Sequence, residues 1–98
     1  MANNELTQHE KILVIIFRNR HKQWWRASDF QQPIDNLFIG YEASARMSEL
    51  SKLYPDAFNI RQNGRFREMQ FKFSDAENIQ KKLPHELGRH LVREKIIR

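Results

Sequence analysis

Apolar positions first become regular at Ile12, Leu13, Ile16 and Phe17. Their i, i+1, i+4, i+5 spacing is the stripe of a helix packed on one side. Thr7-Gln8-His9-Glu10 stands directly before it with the S/T-x-x-E spacing of a capping box, and Leu6 is placed to staple back onto the first turn. The basic run Arg18-Asn19-Arg20-His21-Lys22 suits the negative end of the helix dipole, so the pattern predicts a helix over about 8–20. Trp24-Trp25-Arg26-Ala27 has no helical period and reads as a brief strand or extended link. Ser28-Asp29-Phe30 then caps a short second helix that Pro33 limits, and a loop over 33–40 ends in Gly40, suited to a tight turn.

At 100° per residue Ala43, Met47, Leu50 and Tyr54 fall within about 60° of arc and predict a third helix, 42–54. Ser44, Ala45, Ser48 and Lys52 take its far side, and Pro55 ends it. From Phe58 to Phe73 the chain alternates around Asn63-Gly64, the signature of a hairpin with a type I′ turn. Met69, Phe71 and Phe73 share one face of its second strand; Glu68, Gln70 and Lys72 share the other. Ser74-Asp75-Ala76-Glu77 spells a second capping box. Ile79, Leu83, Leu87, Leu91 and Ile96 carry a mostly i+4 stripe to the end, and Pro84 divides it into helices of about 75–83 and 85–97.

A chain of 98 residues has one core, which excludes a two-domain cofactor enzyme. The absence of cysteine excludes disulfides, thiol nucleophiles and cysteine-ligated zinc. The apolar run Ile12–Phe17 is far short of the ~20 residues of a membrane span. Met1-Ala2-Asn3-Asn4-Glu5 lacks a basic leader region, so a cytoplasmic location is expected.

The net charge of +5 favours an acidic partner, with nucleic acid first in line. Its distribution is uneven. Residues 1–26 hold five basic and two acidic groups, 27–58 two and five, 59–75 four and two, and 76–98 six and three. The middle third is therefore acidic.

The order helix, short strand, helix, loop, helix and hairpin resembles a winged helix-turn-helix domain, and Gly40-Tyr41-Glu42-Ala43-Ser44-Ala45-Arg46-Met47-Ser48-Glu49-Leu50 resembles the recognition helices of small bacterial and phage winged-helix proteins. The fold implied is α+β, mainly helical: a winged-helix domain over 1–73 with a helical extension over 74–98. The function implied is sequence-specific binding of double-stranded DNA by a small transcriptional regulator. Helix 42–54 would enter the major groove and hairpin 58–73 would be the wing. Carried over by position, the DNA-contacting set is Tyr41, Ser44, Arg46, Ser48 and Lys52 on the helix, with Arg61, Asn63, Arg65 and Arg67 on the wing. Arginine is suited to bidentate contact with guanine or phosphate, and a serine near a helix start can bond phosphate beside free N–H groups.

Arg46 can equally pair with Glu42 or Glu49 on its own helix. Trp24 and Trp25 read as core plus a half-exposed lid rather than a platform for single-stranded bases. His85-Glu86-Leu87-Gly88-Arg89-His90 has one residue too many for a zinc-protease motif; five residues turn the two rings about 140° apart. No metal, no cofactor and no catalytic residues are expected, and no enzyme. The tail's stripe can pack on the first helix or on a symmetry mate, and the resemblance favours a homodimer through 74–98. The competing function is a winged-helix protein-interaction module, an adaptor or inhibitor of a nucleic-acid enzyme. Its motive is the third helix, where Arg46 and Lys52 cancel Glu42 and Glu49.

Overall fold

The computed structural model describes residues 6–98; the first five, which carry the reading of the start, lie outside the described residues. The architecture of the described residues is α+β, with four α-helices and one two-stranded antiparallel hairpin. In order these are α1 (Gln8–Arg18), α2 (Ala43–Leu53), β1 (Phe58–Asn63), β2 (Phe66–Phe71), α3 (Ala76–Lys82) and α4 (His85–Arg93), with short 3₁₀ turns between. Among the described residues no helix is long and apolar enough to cross a membrane.

The capping box of α1 forms in both directions. Glu10 N–H donates to Thr7 Oγ1 and Thr7 N–H to Glu10 Oε1, each at 3.1 Å. The helix ends at Arg18, two residues before the expected boundary, because the Asn19 side-chain amide turns back to bond the Ile15 carbonyl at 2.8 Å. The expectation of a one-sided helix is overturned: Ile12 through Phe17 are all at most 1% exposed, Val14 and Ile15 included. The side left over by α2 and the hairpin is covered by α4, with which α1 packs extensively. A helix apolar all round is a buried helix. The stripe of the tail is used in that packing: Ile79, Leu83, Leu87 and Leu91 share one core with α1, Trp25, Phe30, Leu50 and Phe71.

The second helix is reduced to a 3₁₀ turn, Ala27–Gln31. Asp29 accepts from the Arg26 N–H at 2.9 Å, and Gln32, held before Pro33, takes extended angles (φ −109°, ψ 150°) that forbid another turn. Trp25 forms the brief strand as a single bridge to Met69, with both backbone bonds at 2.8 Å. Trp25 stacks on Phe30 inside the core while Trp24 is half-buried.

The hairpin turn differs from the type I′ expected at Asn63-Gly64. Asn63 pairs with Phe66, so the two loop residues are Gly64 and Arg65, and of these only Gly64 has positive φ, +63°. Glycine at the first central position is the II′ arrangement. Two successive positive φ values occur instead at Asp35 (53°) and Asn36 (65°), within a small turn closed by Ile34 and Leu37. Gly40 supplies the tight turn ahead of α2 with φ +78°.

The second capping box does not form. Asp75 is the N-cap of α3 without a side-chain bond to the helix backbone, and its carboxylate takes the Asn78 amide at 2.8 Å. Helix α4 ends at Arg93, four residues earlier than expected. Lys95 adopts φ +61°, and the N–H groups of Ile96 and Lys95 return to the Leu91 and Val92 carbonyls at 2.8 and 3.0 Å. This is a Schellman ending with lysine in the usual glycine place.

Candidate nucleic-acid interface

The sequence-derived residues lie on α2 and the hairpin, and alternation along the hairpin strands decides how they are grouped. Arg61 stands opposite Glu68 and Arg67 opposite Gln62, so alternation puts Arg61 and Arg67 on opposite faces of the ribbon. The three wing arginines therefore do not form one patch.

On the face toward α2, a groove of about 150 Å³ runs between helix and hairpin. Its walls include Ser44, Ser48 and Ser51 from α2 with Ile60 and Arg67 from the hairpin. Met47 and Leu50 face the core, and Ser44, Ser48 and Ser51, on the flank of the helix beside Met47, line the groove with it. Arg67 is exposed and forms no ion pair among the described residues. Ser51 Oγ already donates to the Ser48 carbonyl at 2.9 Å, and Glu68, which also lines the groove, is paired with Arg26 and Arg61. The Ser44 and Ser48 hydroxyls and the Arg67 guanidinium are therefore the groups that can bond anionic oxygens there.

The opposite face carries a cluster that sequence reasoning missed. Glu68, expected on a solvated face, is 4% exposed. Its Oε1 accepts from Arg61 Nε at 2.7 Å, and its Oε2 accepts from Arg26 Nη2 and Nε at 2.6 and 3.1 Å. Asn63 adds a longer bond of 3.4 Å. Arg61 and Arg26, as donors to Glu68, outweigh its burial and hold its carboxyl below the usual carboxylate range. Arg61 also lies 4.2 Å over the Trp24 ring and Arg26 lies 4.1 Å over the Phe66 ring. The sequence signal was Glu68 itself, the one acid of the hairpin. A turn centred on Asn63-Gly64 would have set Arg61 opposite Phe66, and the ion pair was invisible in that register.

Arg65 sits at the tip, exposed and without an ion pair among the described residues. Tyr41 is 91% exposed at the entry to α2, and Lys52 is exposed on the helix. Arg46 is committed within the chain. It contacts Glu49 at 3.0 Å and Glu42 at 3.7 Å, while its Nε is buried without a partner. Glu49 accepts in addition from His9 of α1 at 2.7 Å, so α2 and α1 are joined through one carboxylate. The structure thus groups Ser44, Ser48 and Arg67, groups Arg61 with Asn63 on the other face, and leaves Arg65, Tyr41 and Lys52 separate.

Among the described residues no three His, Asp or Glu side chains gather as metal ligands would. His90 is buried against Glu10, whereas His85 is exposed. No protein family, curated protein or solved structure matches the chain.

Proposed function

We propose that this chain binds double-stranded DNA as a winged helix-turn-helix protein of the small bacterial or phage regulator type, with α2 in the major groove and the β1–β2 hairpin as its wing. The observation that carries the reading is the charge of the hairpin. Every exposed charge between Phe58 and Phe71 is positive, because the one acid there is buried between two arginines. A projecting ribbon of that sign fits a phosphate backbone. The groove beside it offers Ser44 and Arg67 to a phosphate lying between wing and helix, and Ser48 to a base edge. With Arg46 held by Glu42 and Glu49, α2 meets the bases through small hydroxyl and methyl groups, and affinity comes from the wing and flanks.

Titration of a labelled duplex over a salt series tests this reading. Affinity should fall steeply with salt, and selection from a random duplex pool should enrich one sequence. A palindrome would add a twofold dimer; since the stripe of the tail lies in the core, that dimer would use outward residues such as the exposed Val92. Binding that is absent at low salt sinks the proposal.

One observation favours the second reading, a protein-interaction module. Internal neutralisation of Arg46 leaves α2 without a free arginine, whereas Tyr41 stands almost fully exposed beside it. Stoichiometric capture of one protein partner, lost on Tyr41→Ala and accompanied by no duplex retention, would decide for it.

A further inference from the structure

Phe66 stands at the closing pair of the hairpin, opposite Asn63 and next to the tip residues Gly64 and Arg65. It is 42% exposed, so a large part of an aromatic residue is left in water beside the tip of the hairpin. The fold gains little there, since the ring belongs to no part of the buried core. The ring is nevertheless held. The Arg26 guanidinium lies 4.1 Å over it, and Arg26 is itself fixed by two bonds to Glu68, whose other oxygen is fixed by Arg61. An exposed apolar ring, rigidly backed and flanked by cations, has the form of a wedge. Arg65 beside it, without an ion pair among the described residues, points to an anionic polymer as its occupant, and stacked bases are the apolar component of that polymer.

We infer that Phe66 inserts between base pairs from the minor groove, unstacking one step and kinking the duplex. The inference rests on the duplex-binding reading above and adds a deformation to it. Pyrimidine–purine steps unstack most readily, so the wing would select a TA or CA step without hydrogen-bonding its bases. Arg65 beside the ring supplies the phosphate contact that holds the tip in place, and the backing by Arg26 resists the ring's being pushed aside on entry.

The test uses the full chain and a duplex whose central TA step carries 2-aminopurine, which brightens when it unstacks. The wild-type protein should raise emission several-fold on binding. Phe66→Ala should return emission to the level of the free duplex while weakening affinity by less than about tenfold, because the phosphate contacts persist. Phe66→Leu, which keeps an apolar wedge, should retain part of the signal, and retention shows that loss in the alanine variant is not loss of folding. Duplex binding with no rise in emission, or a rise unchanged by Phe66→Ala, overturns the wedge and leaves the duplex reading standing. Failure of the wild-type chain to retain any duplex at low salt overturns the duplex reading, and the wedge with it.

Discussion

Glu10, in the first turn of α1, accepts a 2.7 Å hydrogen bond from Nε2 of His90 in α4, 80 residues further along the chain. Arg89 Nη2 reaches the same oxygen at 2.9 Å, and the other carboxylate oxygen takes the Thr7 N–H at 3.1 Å. One side chain therefore caps α1 and clamps the C-terminal helix onto it.

Burial pushes the Glu10 carboxyl upward, but the bonds from His90, Arg89 and Thr7 outweigh it and take it from the ordinary 4.5 down to about 2. Because the folded value lies below the unfolded one, the stability Glu10 contributes is complete above about pH 4.5 and is lost as pH falls toward about 2. Glu10→Ala should cost about 2–4 kcal/mol at neutral pH, as expected for a buried ion pair broken on one side. Urea unfolding from pH 2 to 7 should show this cost shrinking on acidification. An equal cost at both ends would remove the clamp.

Gly64→Ala isolates the backbone requirement of the hairpin turn. An added Cβ would meet nothing within 4 Å, so any loss comes from φ +63° alone. The expected cost is about 1 kcal/mol, a fall in the thermal midpoint of about 4–8 °C for a domain this small. No measurable change would place the turn residues elsewhere.

Arg61 and Arg65 should separate stability from binding. Arg61→Ala strips Glu68 of its shortest Oε1 partner and uncovers Trp24, and should destabilise by about 1–2 kcal/mol. Arg65→Ala should leave stability within about 0.5 kcal/mol yet weaken binding to all duplexes and reduce the salt slope by about 1. Identical behaviour in both assays would contradict the division of the wing into a locked face and a free tip.

Glu49 restrains the only arginine of α2, so Glu49→Gln should release Arg46 toward a duplex. Affinity at low salt should rise about threefold or more, since one acid is removed and one cation freed. Stability should fall by less than about 1 kcal/mol, as the paired groups are part-exposed. Unchanged affinity would show that α2 does not approach phosphate on that side.

Ser48→Ala should change which duplex is preferred while leaving non-specific affinity in place, because a hydroxyl in the groove reads position rather than supplying charge. Parallel titrations of an enriched and a scrambled duplex measure this, and equal losses on both would assign Ser48 to phosphate contact or to packing.

Local pattern determined much of this protein. The Thr7 and Glu10 box, the Ala43, Met47, Leu50 stripe, the break at Pro84 and the two-strand ribbon around Gly64 were all legible, because each depends on neighbours within a few residues. Ile12–Phe17 held the signal of an all-round buried helix, yet the sequence did not say that α4 would cover its second side. The candidate site was half legible. Ser44, Ser48 and the arginines were visible as residue types, and strand alternation alone separates Arg61 from Arg67. The direct pairing of Arg61 with Glu68, by contrast, followed from a turn at Gly64-Arg65 in place of Asn63-Gly64. Arg26 and Trp24 joined the hairpin only through contacts with distant residues, such as Arg26 with Glu68. Residue order sets local geometry through short-range sterics and hydrogen bonds; which carboxylate is buried, and which guanidinium stays free to meet a partner, is decided only when distant segments compete for the same space and the same charge.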